Sequence, residues 1–162
     1  MIFMWIASIL AAVVLFGIDQ LTKYIALVQL KPVGSVTVID GLLHLTFVEN
    51  RGVAFGMFSG KKWFILLLTM VIVAVMVYYF IKLPKTKEYQ WVRMAMVPIL
   101  AGAVGNMADR LFRGYVVDFF EFGFVEFPVF NVADIYVVCG VIVLAALVLF
   151  VIKEEPKEKK ED

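Results

Sequence analysis

Two aspartates, Asp118 and Asp134, lie in a polar segment of a very apolar sequence, residues 105–134. Four further residues of that segment have side chains suited to binding or to supporting chemistry: Asn106, Asp109, Arg110 and Asn131. An ionised carboxylate in or beside hydrocarbon is costly. Polar residues kept at the edge of a membrane span are therefore functional or paired with one another. We take this segment as the candidate active site.

A pair of carboxyl groups in a low-dielectric site predicts proton-transfer chemistry. Two such groups close together cannot both ionise, so they share one proton and titrate as a coupled pair. The ionised member can take a proton from water that attacks a peptide carbonyl, while the protonated member hydrogen-bonds the carbonyl oxygen. This is the chemistry of an aspartic peptidase. Asn131, three residues before Asp134, is predicted as the N-cap of the fourth span. The structural alternative is that Asp118 and Asp134 only cap helices or pair with Arg110 or Arg113.

Other catalytic chemistries lack their residues. The only histidine, His44, falls in a predicted strand, which argues against histidine-based metal sites and catalytic triads. Ser35 and Ser59 lie in a loop that also holds lysines, so a Ser/Lys peptidase stays open as an alternative. We expect no metal ion and no cofactor. A net charge of +1 without a basic patch argues against nucleic acid as a partner.

Composition places the chain in a membrane. Of its 162 residues 63% are hydrophobic, and the mean hydropathy is +0.94, too apolar for a soluble domain of this size. Since about 20 apolar residues cross the hydrocarbon core, we predict four spans, at residues 2–24, 63–81, 91–107 and 134–152. The first run lacks the basic start and the cleavage site of a secretory signal, so we expect a retained span. The whole chain is predicted to form one membrane-embedded domain with a disordered tail at residues 153–162.

The segment between the first two spans, about residues 30–60, has a different character. Residues 37–39 and 42–48 are short runs rich in β-branched and aromatic residues, separated by the turn-forming pair Asp40 and Gly41. A hairpin outside the membrane is therefore predicted. The fold class is an all-α integral membrane protein with four transmembrane helices and a small β-rich insertion between helices 1 and 2.

Asp19 and Lys23 lie at the far end of the first span, four positions apart on one helical face. Their spacing predicts an ion pair that anchors the helix end at the membrane interface. The alternative is a direct role at the substrate site.

Lysine and arginine counts leave the orientation of the chain almost undecided. Four spans put both termini on one side, where eight basic residues lie, against seven on the other side. The positive-inside rule favours a cytoplasmic location for the linker at residues 82–90, because its lysines are dense in a short loop.

Four ordered motifs resemble those of lipoprotein signal peptidase, also called signal peptidase II, a bacterial integral-membrane aspartic peptidase. The motifs are Asp19-Gln20-x-x-Lys23, Asn50-x-Gly52-x-Ala54-Phe55-Gly56, Gly105-Asn106-x-x-Asp109-Arg110-x-x-x-Gly114-x-Val116-x-Asp118-Phe119 and Phe130-Asn131-x-Ala133-Asp134. The resemblance covers essentially the whole chain in length, number of spans and motif order.

The resemblance implies an endopeptidase that removes signal peptides from diacylglyceryl-modified prolipoproteins by cutting just before the lipidated cysteine. It implies that Asp118 and Asp134 form the catalytic dyad. Five further residues would position the substrate backbone or support the dyad: Asn50, Gly52, Asn106, Arg110 and Asn131. Asp109 would hold Arg110, and Asp19 and Lys23 would be mainly structural.

The resemblance also implies a place in the cell. The protein would be a multi-pass protein of the bacterial cytoplasmic membrane, with both termini cytoplasmic, the β-rich insertion extracytoplasmic and the active site near the outer leaflet. Its partners would be lipid-modified prolipoproteins and membrane phospholipid. We expect a monomer.

Six phenylalanines lie between the two aspartates: Phe119, Phe120, Phe122, Phe124, Phe127 and Phe130. They are predicted either to anchor the loop at the membrane interface or to form a flap over the substrate. We expect the outer loops to close over a bound peptide.

Two other classes of function stay open from the residues alone. A small transporter or channel could use Asp118, Asp134 and Arg110 as an ion or proton relay, but it would need polar residues throughout the membrane depth. A non-catalytic assembly factor is opposed only by the constellation of polar residues.

Overall fold

Four long helices dominate the structure, a computed structural model that describes residues 2–53 and 57–150. They are α1 (Ile2–Ile25), α2 (Lys62–Lys82), α3 (Lys87–Phe112) and α4 (Val132–Phe150). In the described part of the chain, these helices are long and apolar enough to cross a membrane, so the prediction of four spans is confirmed. The third helix extends beyond the predicted span at both ends. The predicted disordered tail lies outside the described residues.

Helix α3 is the centre of the bundle. Half of its most apolar stretch is buried, against 11% for each of the other three helices. Its 26 residues give a length of roughly 39 Å, enough to cross the bilayer. The close contact with α4 depends on small residues, because a Cβ atom at Gly102 would collide with the main-chain oxygen of Ala133.

A three-stranded antiparallel sheet lies at one end of the helices. Strands β1 (Ser35–Ile39) and β2 (Leu43–Asn50) form the predicted hairpin, whose turn places Gly41 at a φ of 66°. The third strand, β3 (Val116–Phe122), comes from between α3 and α4 and pairs with β2. We predicted only a loop there. The insertion therefore provides two strands of the sheet, and the segment that carries Asp118 provides the third.

Apolar side chains attach the sheet to the helices. A π-helical segment, Ala26–Leu30, continues α1, and its buried residues Ala26 and Leu30 pack against Val117 and Phe119 of β3. Successive side chains of a strand point to opposite faces. Asp118, between Val117 and Phe119, therefore points to the other face of the sheet, and it is only 1% exposed.

The opposite end of the bundle is fixed by a buried arginine. Arg93 of α3 donates hydrogen bonds from Nε to the main-chain oxygen of Phe80 at 2.9 Å and from Nη1 to that of Pro84 at 3.1 Å. Its Nη2 donates to the main-chain oxygen of Leu83. These oxygens lie at or just after the C-terminus of α2, where carbonyl groups lack helical partners. Arg93 thus satisfies them and joins α2 to α3.

Candidate active site

Asp118 accepts hydrogen bonds from two asparagines. Asn50 Nδ2 donates to Oδ2 at 2.8 Å, and Asn131 Nδ2 donates to Oδ1 at 2.6 Å. Asp118 lies opposite Val48 in β2, beyond an irregularity between Leu45 and Val48 that shifts the strand register. Such a bulge inserts an extra residue and re-aims the side chains that follow it. It places Asn50 on the same face of the sheet as Asp118.

Asp134 lies in the first turn of α4 and forms a reciprocal cap with Asn131. The main-chain N–H of Asp134 donates to Asn131 Oδ1 at 3.0 Å, and the N–H of Asn131 donates to Asp134 Oδ2 at 3.1 Å. This is the geometry of a capping box, so the predicted N-cap at Asn131 is confirmed. Asn106 Nδ2 of α3 donates to the second oxygen, Asp134 Oδ1, at 2.8 Å.

The orientation of each asparagine amide is determined by a partner that can only donate. The side-chain oxygen of Asn50 accepts from the N–H of Gly52 at 2.9 Å, and that of Asn106 accepts from Lys23 Nζ at 2.8 Å. Asn131 accepts from the N–H of Asp134. The NH₂ groups must therefore face the carboxylates. Because Asn131 contacts both aspartates, the fold brings together the two residues predicted as the dyad.

Burial, and to a smaller extent the negative charge of Asp134, raise the pKa of Asp118 to about 7. The hydrogen bonds from Asn50 and Asn131 oppose this rise, but the effect of burial is larger. Near neutral pH, the carboxyl group of Asp118 can therefore both take up and release a proton. That arrangement is suited to general acid and general base catalysis.

Arg110 joins α3 to the loop after β2. Its Nη2 donates to the main-chain oxygen of Gly52 at 2.6 Å, and its Nη1 donates to that of Asn106 at 3.3 Å. The side chain is 9% exposed, and its buried Nε has no hydrogen-bond partner among the described residues. A buried donor without a partner is costly, so it is available to a ligand.

The resemblance implied that Asp109 would hold Arg110, but the structure pairs Asp109 with other residues. Its carboxylate pairs with Lys23 at 3.0 Å and with Arg113, which lies one helical turn further along α3. Successive residues of a helix are rotated by about 100° around its axis. The side chain of Arg110, the next residue, therefore points in a different direction from that of Asp109.

The predicted ion pair of Asp19 and Lys23 is present at 3.0 Å, but it does not lie exposed at the interface. Both side chains are 0% exposed. Asp19 Oδ1 also accepts from the N–H of Ala133 at 3.1 Å, so α1 caps a free N–H in the first turn of α4. The pair therefore joins three helices underneath the dyad.

A cavity of about 430 Å³ opens beside Asp118. Asn50 and Gly52 line one part of it, and Pro128 and Val129 line another. Ser59 lines it too, which bears on the Ser/Lys alternative. However, Lys31 is paired with Glu49 at 2.9 Å and Lys62 donates to the main-chain oxygen of Leu111, so these two lysines have other partners. Among the described residues, no group of three or more His, Cys, Asp or Glu could hold a metal ion.

The phenylalanines between the aspartates have different surroundings. Phe119 is buried in the core under the sheet, so it is neither an anchor nor part of a flap. The ring of Phe122 contacts those of Phe124, Phe127 and Phe130 at centroid distances of 5.4, 5.8 and 5.0 Å. Whether this aromatic cluster anchors the loop or covers a substrate stays a prediction.

Four apolar helices with two aspartates joined through Asn131 at one end are the arrangement expected of an integral-membrane aspartic peptidase. Comparison with known proteins agrees, since residues 11–150 match the family described as signal peptidase (SPase) II. The chain belongs to the signal peptidase II family. It is thus a membrane-bound aspartic peptidase of bacterial lipoprotein processing.

Individual relatives show how far the similarity extends. The lipoprotein signal peptidase of Caldanaerobacter subterraneus subsp. tengcongensis is 49% identical over 145 residues, which cover 89% of this chain and 96% of the relative. That of Clostridioides difficile is 38% identical over 88% of this chain and 94% of the relative. A solved structure described as a bacterial membrane enzyme is 36% identical, with a TM-score of 0.82 over 93% of this chain and 94% of that chain.

Proposed function

We propose that this chain removes signal peptides from diacylglyceryl-modified prolipoproteins by cleaving just before the lipidated cysteine. We further propose that Asp118 and Asp134 activate the water that cleaves the bond. The observation that carries the mechanism is the double contact of Asn131, which hydrogen-bonds both aspartates beside an open cavity.

Asp118 is the member that holds the proton, because its pKa is raised to about 7 by burial and by the charge of Asp134. Asp134 accepts hydrogen bonds on both oxygens, from Asn106 Nδ2 and from the main-chain N–H of Asn131, and in this proposal it acts as the base. Asp134 takes a proton from water as the water oxygen bonds to the scissile carbonyl carbon. Asp118 gives its proton to the carbonyl oxygen. When the C–N bond breaks, Asp134 protonates the leaving amine and Asp118 regains its proton from the hydroxyl group.

The substrate backbone is bound by groups around Gly52. The free Nε of Arg110 is a buried cationic donor, and peptide carbonyl oxygens are the acceptors that a signal peptide brings. Arg110 also holds the main-chain oxygen of Gly52, and Asn50 holds its N–H. The segment that lines the cavity is therefore fixed relative to Asp118.

The site lies near the outer leaflet, with both termini cytoplasmic. A lipid-modified peptide keeps its acyl chains in the bilayer while its scissile bond meets water, so a dyad at the end of the helices has the required depth. The partners are the lipid-modified prolipoprotein and membrane phospholipid, and the enzyme acts as a monomer.

The test is cleavage of a lipidated prolipoprotein peptide by purified protein in detergent. Asp118→Asn and Asp134→Asn should each lower kcat by roughly 10²–10⁴-fold, because each removes a proton-transfer group. Asp40→Asn, in the exposed hairpin turn, is the matched control and should cleave like the wild type. An unlipidated peptide should be a poor substrate.

Two results would contradict the proposal. Undiminished cleavage by a folded Asp118→Asn or Asp134→Asn variant would remove that aspartate from the mechanism. No cleavage by folded wild-type protein would favour the relay alternative, although the buried charged side chains of the described residues, apart from Arg93, lie at one end of the helices.

A further inference from the structure

Lys23 is a buried cation that the proposed chemistry does not use. Its side chain is 0% exposed, and Nζ contacts three acceptors: Asp19 Oδ2 at 3.0 Å, Asp109 Oδ2 at 3.0 Å and Asn106 Oδ1 at 2.8 Å. An ammonium group has three donors, so all of them are in use. Two of the acceptors are carboxylates, and one of these, Asp109, also pairs with Arg113. The third, Asn106, is neutral and belongs to the candidate active site.

The contact with Asn106 has a direction. A lysine ammonium can only donate, so the asparagine must present its oxygen to Lys23 and its NH₂ group to Asp134. If the amide turned over, its NH₂ would face the ammonium and its oxygen would face Asp134. Both contacts would then be repulsive. Asn131 Nδ2, 3.2 Å from Asn106 Oδ1, favours the same orientation.

Other charged groups near the dyad do not supply this restraint. From α3, Arg110 reaches the main-chain oxygens of Asn106 and Gly52, and Arg113 pairs with Asp109. From β3, Asp118 contacts Asn50 and Asn131. From α1, Asp19 accepts from Lys23 and from the N–H of Ala133. Of these charged groups, Lys23 is the one that donates to the side-chain oxygen of Asn106.

We propose that Lys23 is a positioning residue for the dyad, since its donation to Asn106 Oδ1 holds the NH₂ group of Asn106 on Asp134. The ion pair between Asp19 and Lys23 then does more than join helices, because it sets the hydrogen bonding of the catalytic base through one intervening amide. This inference rests on the proposed function of Asp134.

Glutamine is the informative replacement for Lys23. It is neutral and can present either a donor or an acceptor, so it removes the restraint that Lys23 places on Asn106 and leaves only the contact from Asn131. Replacing Lys23 alone would leave Asp19 unpaired, which is strongly destabilising for a buried pair. The change is therefore made in an Asp19→Asn background, where two neutral amides replace the two charges and Asp109 keeps its ion pair with Arg113.

The experiment measures kcat and KM of D19N, D19N/K23Q, N106A/D19N and N106A/D19N/K23Q on the lipidated peptide, with thermal midpoints in the same detergent. Adding K23Q to D19N should lower kcat by roughly tenfold or more while KM changes little, because the defect concerns the base rather than peptide binding. In the N106A background the same addition should change kcat by less than about twofold, because the residue through which Lys23 acts is missing.

Equal loss of kcat with and without Asn106 would overturn the proposal. So would a D19N/K23Q variant that loses thermal stability but keeps the kcat of D19N, since that is the signature of a purely structural role. D118N is assayed in parallel. If D118N still cleaves, the proposed function has failed, whereas an inactive D118N with an unaffected D19N/K23Q variant would refute the role of Lys23 alone.

Discussion

At the level of single residues, three asparagine side chains supply the hydrogen bonds to the two carboxyl groups of the candidate site. Each of Asn50, Asn106 and Asn131 presents its oxygen to a donor and its NH₂ group to a carboxylate. A neutral amide can donate to a buried carboxylate without adding a charge. Asp118 can therefore keep a pKa of about 7, whereas a hydrogen-bonded lysine or arginine would favour its ionised form.

The pKa of Asp118 gives a prediction for the pH dependence of cleavage. Because that pKa is raised to about 7, Asp118 is protonated below this pH and ionised above it. The proposed mechanism needs the protonated form, so kcat/KM should fall as pH rises through about 7. The measurement is a profile of kcat/KM from roughly pH 5 to 9 in one detergent, with apparent pKa values assigned to the pair.

An alkaline limb that begins only above about pH 9 would contradict this prediction, since Asp118 would then be ionised throughout the active range. Thermal midpoints across the same pH range serve as the control. They separate loss of the acid from loss of the fold.

Residue types and motifs were sufficient to select two aspartates and three asparagines that the structure brings into contact. The partner of Asp109 was predicted wrongly. The sequence has two arginines near Asp109. Helical spacing favours an ion pair with Arg113, four positions on, over one with the adjacent Arg110. The contact of Lys23 with Asn106 had no local signal, because the two residues are 83 positions apart and meet only after α1 packs on α3.

At the level of elements, the hairpin was predictable and the third strand was missed. Residues 37–39 and 42–48 show strand propensity around a turn, and the structure has β1 and β2 there. The sequence of β3, VVDFFEF, has the same β-branched and aromatic character, but its partner strand lies before two intervening helices. Local patterns do not reveal such long-range pairing. The strand signal in this sequence was present and could have been used.

Gly105 of α3 provides a prediction about helix contacts. A Cβ atom there would collide with Asp19 Oδ2, whose carboxylate is buried and paired with Lys23. Gly105→Ala should therefore destabilise the protein by about 1–3 kcal/mol and lower cleavage, although alanine is the better helix former by about 1 kcal/mol. Thermal unfolding in detergent and the cleavage assay measure the two effects.

Gly17→Ala is the matched control. Gly17 lies on the exposed side of α1, and a Cβ atom there meets nothing within 4 Å. This variant should unfold at or slightly above the wild-type temperature and cleave normally. If Gly105→Ala behaved in the same way, α1 and α3 would not be in contact through Asp19.

At the scale of the whole molecule, the buried charged side chains of the described residues, apart from Arg93, are concentrated at one end of an apolar bundle. The sheet, the dyad and the buried cluster of Asp19, Lys23 and Asp109 all lie where α1 and α3 end and where α4 begins. Four apolar runs were enough to predict the number of spans. Orientation was not predictable from basic residues, since their numbers on the two sides are nearly equal.

Cysteine labelling in cells tests the proposed orientation. In a Cys139→Ala background, Asp40→Cys places a thiol in the hairpin turn after α1, and Lys85→Cys places one in the linker between α2 and α3. Both positions are exposed and are separated by one crossing, that of α2. A membrane-impermeant maleimide should label Asp40→Cys in intact cells. It should label Lys85→Cys only after permeabilisation, because the lysine-rich linker is retained in the cytoplasm.

The opposite pattern would put the dyad at the cytoplasmic face, where it could not meet a lipid-modified peptide at the outer leaflet. Labelling of both thiols from outside would contradict the crossing of α2 itself.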